Sequence, residues 1–409
     1  MPQHVYIIGA KGVSFYGGYE SFVQKLLEYH QEDQDIQYHV ACKANGEGRM
    51  DVSKLEGASW IAKDRFTYCN ADCFLIQVPQ WMRSAQAIVY DVKALKECCR
   101  HIKENGIKRP VIYILACRIG PFVHSYVKKL HKLGARIYLN PDGHEWKRAK
   151  WSAPVRRYWK ESERLMVRYA DLVICDSVNI ERYIQEQYKQ YSPKTTYIAY
   201  GAETKKSSLA DDDPRYIAWL KKHGLTQYYT MISRCVPENN YETIIREFMK
   251  SHSKKDLAII STDNPKLTDE LEKKLHYKQD GRIKFVGTVY DQELLTKIRE
   301  NAYGYLHGHS VGGTNPSLLE ALGATKLNLL FDIGFNREVA GDTALYWTNE
   351  EGDLAALIDE ADAMREEKII ELGLNAKQRI IDHYGWRSIA DKYKSVFAYQ
   401  KKVDRCVSG

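Results

Sequence analysis

Short apolar runs alternate with amphipathic stretches over most of the chain, and this alternation constrains the fold more than any other feature. HVYIIG (His4 to Gly9), QYHVAC, DCFLIQV, RPVIYILA, ARIYLN, DLVICD and TTYIAY each read as a buried strand. Helical patterns lie between most of them. After Gly18, Phe22, Val23, Leu26 and Leu27 share one helical face, and further helices are predicted around 85–103 and 123–133. Buried strands separated by helices make parallel βαβ units with the sheet covered on both faces. The pattern breaks at AETKKSSLADDDP, a polar segment closed by proline that reads as a linker or an exposed excursion. It restarts in YYTMIS, DLAIIS, RIKFVG, AYGYLHG and KLNLLF, and helical patterns run from Asp353 onward. The expected fold class is α/β: two doubly wound halves, with a ligand cleft between them at the carboxyl ends of the strands.

Composition narrows the partners. The 409 residues suit two to three domains at about 150 residues each, enough to bury separate cores without disulfides or metal as the organising element. Lys and Arg exceed Asp and Glu by 60 to 53, a net charge of +7. That suits an anionic ligand or an anionic membrane surface and falls short of a dedicated nucleic-acid binder. The 9 cysteines are odd in number and show no repeated C-x-x-C spacing, which reads as buried free thiols in a reducing cytosol. The start MPQHVYIIGAKG is too short in apolar residues for a signal peptide. No apolar run approaches ~18 residues, so no membrane-spanning helix is expected.

Four passages in the first half could carry chemistry. The first strand leads through Gly9, Gly12, Gly17 and Gly18 into a helix. This is not G-x-G-x-x-G, and the second strand ends in Cys42 and Lys43 without an acid, so a nicotinamide site is disfavoured. The turn still offers free N–H groups to a phosphate or a sugar hydroxyl, although tight packing explains the glycines as well. NPDGHEWKRAKW (Asn140 to Trp151) crowds Asp142, His144, Glu145, Lys147 and Arg148 at a strand end. Asp142 suits a base or a group that orients a hydroxyl, and His144 suits a polar substrate or a phosphate. The stretch from Lys147 to Arg168 interleaves Trp151, Arg156, Arg157 and Trp159. It fits an anionic membrane interface, with nucleic acid or a plain solvated helix face as rival readings. DLVICDS places Asp176 at a strand end and gives Ser177 to a helix cap.

In the second half, RCVPENN sets Arg234, Glu238 and Asn239 just past a strand, where an arginine suits a diphosphate. YLHGHSVGGTNPSLLEALG (Tyr305 to Gly323) is the most specific passage. Asn315 and Pro316 open a helix, so the N–H groups of Gly313, Thr314 and Asn315 point at an anion, and Glu320 lies one turn further on.

Taken together, YGGYESFV (Tyr16 to Val23), NPDGHEWKR, ICDS, YGAE (Tyr200 to Glu203), RCVPENNYET and HGHSVGGTNPSLLEA carry a resemblance. Their order and spacing resemble retaining GT-B enzymes of glycosyltransferase family four. Within that family they are most similar to bacterial β-1,4-rhamnosyltransferases of capsule and rhamnan cell-wall synthesis. The resemblance implies two Rossmann-like domains facing a central cleft: 1–200 for the acceptor and 201–385 for the nucleotide sugar. A final helix, 386–409, is expected to pack back on the first domain. It implies a nucleoside-diphosphate sugar donor, foremost dTDP-L-rhamnose. The implied acceptor is GlcNAc or glucose on undecaprenyl pyrophosphate. It further implies no cofactor and no metal, no nucleic-acid partner, and a cytoplasmic place on the inner face of the cell membrane.

The implied catalytic set is Asp142, Glu238, Arg234 and Asp176. The implied donor contacts are Gly17, Gly18, Tyr200, Gly201, Arg234, Asn239, His309, Gly313, Thr314, Asn315 and Glu320. The implied acceptor contacts are Tyr16, His144, Glu145 and Arg148, and the implied membrane contacts are Trp151, Arg156, Arg157 and Trp159. Two positions depart from the family pattern: Gly312 stands where the first acid of E-x7-E is usual, and Asn239 stands where a diphosphate lysine is usual.

Overall fold

A computed structural model describes residues 2–13, 17–148 and 151–398, apart from the side chains at 83–84. The chain divides into two compact units. The first comprises Met1–Lys147, Trp151–Tyr200 and the segment from Trp386, and the second comprises Arg148–Lys150 and Gly201–Gly385.

The strands of the first unit are β1 (Gln3–Ile8), β2 (Ile36–Lys43), β3 (Ser59–Ala62), β4 (Arg65–Tyr68), β5 (Ala71–Ile76), β6 (Val111–Leu115), β7 (Arg136–Asn140), β8 (Leu172–Cys175) and β9 (Thr195–Tyr197). They form one sheet in the order β3-β4-β5-β2-β1-β6-β7-β8-β9. Pairing is parallel from β5 through to β9. The helices α1 (Gly18–Tyr29), α2 (Gln86–Glu104), α3 (Gly120–Lys132), α4 (Ala153–Tyr169) and α5 (Val178–Gln187) follow the strands. Every residue of β6 is buried, as a central parallel strand requires. Burial of each such aliphatic side chain contributes about 1.5–3 kcal/mol. Phe22, Val23, Leu26 and Leu27 are the buried face of α1, as the periodicity predicts.

The second unit begins with α6 (Pro214–His223) and continues β10 (Tyr228–Ile232), α7 (Tyr241–Lys250), β11 (Asp256–Ile260), α8 (Pro265–Leu275), β12 (Ile283–Gly287), α9 (Gln292–Asn301), β13 (Gly304–His307), α10 (Pro316–Ala324), β14 (Asn328–Phe331), α11 (Gly334–Ala340), β15 (Leu345–Trp347), α12 (Asp353–Ala363) and α13 (Glu366–Tyr384). Its parallel sheet runs β12-β11-β10-β13-β14-β15. In the parallel part of each sheet the chain order reverses at one place, between β1 and β6 and between β10 and β13. Loops leaving neighbouring strands there diverge to opposite faces and leave a crevice, which is where α/β proteins bind ligands.

Three features differ from the sequence expectation. The β3–β4 hairpin pairs antiparallel on the sheet edge, and all four residues of β3 are exposed, so no apolar alternation announced it. The polar segment after Gly201 is not loose. Ser207 N–H donates to Glu300 Oε1 at 2.9 Å, Ser208 Oγ to Glu293 Oε2 at 2.7 Å, and Lys297 pairs with Asp211 at 2.5 Å, strapping it along α9. A three-residue strand, β15, also escaped the pattern because it is too short to show a period.

The final helix α14 (Trp386–Phe397) lies in the first unit. Phe22 meets Trp386 and Tyr393 at ring-centroid distances of 6.2 and 5.1 Å, and Phe397 meets Tyr113 at 5.7 Å. Phe397 and Tyr393 are fully buried, so α14 completes a core rather than decorating a surface.

Candidate functional site

In the first unit, the candidate residues gather beyond the carboxyl ends of β1, β6, β7 and β8. Asp142 and His144 have φ of 60° and 52°, so two non-glycine residues sit in the left-handed region on either side of Gly143. Such backbone costs about 1–3 kcal/mol per residue and persists where function holds it. The turn is pinned locally: Asp142 N–H donates to Asn140 Oδ1 at 2.9 Å, and Gly143 N–H to Asp142 Oδ1 at 2.8 Å. Tyr19 donates to the same Asn140 Oδ1 at 3.4 Å.

Burial and then the negative charges of Asp142 and Asp176 hold the Tyr19 phenol well above its usual range. Tyr200 is raised by burial and by the same two carboxylates. The structure therefore brings Asp142, Asp176, Tyr19 and Tyr200 into one electrostatic neighbourhood. Arg118 joins them. Burial disfavours its charge, but Asp91, Tyr19 and Asp142 more than compensate, and its Nη1 donates to Gly9 O at 2.7 Å. Asp91 is fully buried, and its carboxyl is pushed up to about 6 by burial in spite of Arg118. Sequence reading missed Arg118. It follows β6 as Arg234 follows β10, and that shared position was the available signal.

The other first-unit candidates divide. Gly17 precedes α1 in extended backbone, where a Cβ would meet only the flexible end of the Glu20 side chain, and a Cβ on Gly18 would meet nothing within 4 Å. Packing thus requires neither glycine. Ser177 caps α5 by accepting from Asn179 N–H at 3.1 Å, as expected. Trp151 donates its indole N–H to Glu145 Oε1 at 2.9 Å. Trp151 and Trp159 are half-buried with centroids 6.0 Å apart, while Arg156 and Arg157 are exposed. Arg148 is grouped with the second unit. Tyr16 lies outside the described residues.

In the second unit, the loops after β10 and β13 are stitched together. Ser310 N–H and Oγ both donate to Glu238 O, and Asn240 Nδ2 donates to Gly308 O at 2.9 Å. Gly308 permits this approach, because a Cβ on it would stand 2.2 Å from Asn239 O. The stitched loops lead to α10. Asn315 caps it by accepting from Ser317 N–H at 2.9 Å, and Pro316 occupies its first turn. Thr314 and Gly313 are buried at this helix start. A helix N-terminus carries roughly +0.5 of a charge with N–H groups to spare, a setting for an anion.

Arg234 is exposed just past β10 and near His309. Burial, then Arg234 and Arg148, push the His309 imidazole down to about 3, and burial with His309 lowers His307 as well. The two rings stack at 4.3 Å. Both are neutral near pH 7, so the fixed positive charge here belongs to the arginines. His307 Nε2 and His309 Nδ1 are buried without a hydrogen-bond partner among the described residues.

Two candidates have different surroundings from those expected. Asn239 is 3% exposed, and its amide donates to Arg234 O at 2.7 Å, so it braces the turn behind Arg234. Glu320 is half-exposed and accepts from the buried guanidinium of Arg299. Gly312 has φ of 136°, which a glutamate would adopt only with strain. Glycine at 312 thus goes with a backbone shape that favours it. Gly201 opens the longer segment of the second unit. Among the described residues, no group of three or more His, Cys, Asp or Glu side chains is placed to hold a metal ion, and no helix is long and apolar enough to cross a membrane.

These two parallel-sheet units, each with its loops at a reversal of strand order, define the GT-B fold. Solved structures agree. Sucrose-phosphate synthase from Thermosynechococcus elongatus superposes with a TM-score of 0.75 at 16% identity, covering 98% of this chain and 100% of that one. The α,α-trehalose 6-phosphate synthase from Burkholderia multivorans gives 0.72 at 10% identity, covering 100% and 99%. HepE from Anabaena, in complex with UDP and glucose, gives 0.68 at 14% identity, covering 98% and 100%. Residues 2–203 match the family model described as a domain of unknown function, DUF1972. No curated protein matches the sequence.

Proposed function

We propose that the chain is a retaining glycosyltransferase that moves L-rhamnose from dTDP-L-rhamnose to GlcNAc or glucose on an undecaprenyl-pyrophosphate lipid. The observation that carries the transferase reading is the pair of stitched loops in the second unit. They combine an exposed arginine, a buried neutral histidine and the capped start of α10. That set suits a diphosphate leaving group without a metal. In front-face displacement, the acceptor oxygen bonds to the anomeric carbon as its bond to the diphosphate breaks. The acceptor proton passes to the departing phosphate oxygen. Asp142 orients the acceptor hydroxyl, Arg234 and the amides at Gly313 to Asn315 hold the diphosphate, and Glu320 accepts from the deoxyribose. Glu238 and Asp176 position the sugars. The glycine at 312 removes one acid, which suits a 6-deoxy sugar with fewer hydroxyls to grip.

Thermal shift against dTDP-rhamnose, UDP-glucose, UDP-GlcNAc and GDP-mannose tests the reading. A ligand at a hundredfold its Kd stabilises by about 2.7 kcal/mol. The expected result is the largest shift with dTDP-rhamnose and its loss in Arg234→Ala. No shift with any donor would overturn the reading. A UDP-sugar donor is the second reading, because HepE was solved with UDP and a trehalose-6-phosphate protein from E. coli with UDP-2-fluoro glucose. Exposed Arg156 and Arg157 beside Trp151 and Trp159 support peripheral attachment to an anionic inner leaflet. Co-sedimentation with anionic but not neutral vesicles is the expected outcome.

A further inference from the structure

Lys160 projects from α4 into an aromatic enclosure. Its Nζ stands 4.4 Å from the ring centroid of Trp146, 4.9 Å from Tyr183 and 5.3 Å from Tyr188. Cation–π contacts of this kind contribute most where water is excluded. The ammonium also donates to Tyr183 Oη at 2.5 Å and lies 3.7 Å from Glu163 Oε1. Glu163 is 4% exposed, and its Oε1 accepts from Tyr183 Oη at 2.5 Å and from Tyr188 Oη as well. Tyr183 Oη is therefore held from two sides by a half-buried cation and a buried carboxylate. Trp146 Nε1 reaches the same oxygen at 3.3 Å.

The ring of Tyr183 in turn packs on His144, with centroids 4.1 Å apart. His144 sits in the left-handed turn that carries Asp142. We propose that Lys160 is a positioning residue for His144, acting through the doubly held Tyr183 ring to fix the imidazole beside Asp142. The charged groups that act on that imidazole are Lys147 and, from α4, Lys160, and the rings of Trp146 and Tyr183 pack against it. The cage also gives His144 a charge state. Burial, then Lys147 and Lys160, pull its imidazole down to about 4. His144 therefore works as a neutral hydrogen-bonding group, not as a counter-charge for a phosphate.

The test is His144 titration by NMR in full-length protein labelled at histidine, with the signal assigned from His144→Asn. Lys160→Gln removes the charge and keeps a donor, and Lys160→Arg keeps the charge. The expected result is an upward shift of the His144 midpoint in Lys160→Gln, with little change in Lys160→Arg. Tyr183→Phe, which keeps the ring but removes the hydroxyl contacts that hold it, is expected to change the ring-current shift of the His144 signals. An unchanged midpoint in Lys160→Gln, or an unchanged ring-current shift in Tyr183→Phe, would overturn the proposal. The activity counterpart rests on the glycosyltransferase reading: the acid limb of the transfer rate should move up with the midpoint. Because titration needs no substrate, its outcome is separable from failure of that reading.

Discussion

Ser310 donates both its backbone N–H, at 3.0 Å, and its hydroxyl, at 2.8 Å, to the carbonyl oxygen of Glu238. One carbonyl thereby fixes the loop after β13 to the loop after β10. On the Glu238 side, this joint uses the backbone carbonyl.

The joint depends on Gly308. A methyl group there would stand 2.2 Å from Asn239 O and 2.8 Å from Ile244 Cδ1. Gly308→Ala is expected to cost about 1–3 kcal/mol from overpacking, read as a lower urea midpoint. It should also weaken binding of a nucleoside diphosphate, read by titration calorimetry.

Asp142→Asn should separate chemistry from backbone strain. Asn tolerates the left-handed region well, so φ of 60° is kept and the fold is expected to be unchanged by circular dichroism. If Asp142 orients or partly deprotonates the acceptor, transfer falls by about a hundredfold or more. Wild-type turnover would remove Asp142 from the mechanism.

Acid should destabilise the first unit through His4, His39 and His101. His4 Nδ1 and His39 Nε2 are 2.9 Å apart, and the rings of His39 and His101 are 5.0 Å apart. Burial lowers all of them. His39 goes to about 2 because His101, His4 and Arg65 add to the burial effect, and Asp72 opposes it for His4 and His101. A histidine whose folded pKa is depressed binds fewer protons folded than unfolded. Its contribution is complete above the unfolded value of about 6.5 and is lost as pH falls below that. Urea midpoints are expected to drop between pH 7.5 and pH 5, with a flatter slope in His101→Gln. Asp91, raised to about 6, works in the opposite direction over the same range.

Phe397→Ala should cost about 3–5 kcal/mol, because the ring is fully buried among Tyr38, Tyr113, Tyr138 and Tyr393. The loss is expected in first-unit probes, such as hydrogen exchange at β6, before it shows in second-unit probes.

Much of the architecture was legible because buried parallel strands write themselves as apolar runs; β6 is the clearest case. The β3–β4 hairpin was not, since Trp60 and Ile61 face solvent and follow no alternation. For the site, local chemistry sufficed where the signal is local. Asn315 and Ser177 cap helices as their neighbours imply. It failed where the partner is remote in sequence. Nothing around Lys160 announces Tyr183, and nothing around Glu320 announces Arg299. Even the nearby bond from the Asn239 amide to the Arg234 carbonyl is invisible without the fold of the turn.

The membership of α14 in the first unit has a consequence for biogenesis. The ribosome delivers residues 1–200 early, yet the core formed by Phe22 and Tyr113 stays open until Tyr393 and Phe397 emerge. The first unit is thus begun first and finished last, with the long Gly201–Gly385 segment of the second unit made in between. A nascent chain arrested before α14 would hold a completed second unit and an unsealed first one, which makes that arrested species the natural client for a chaperone.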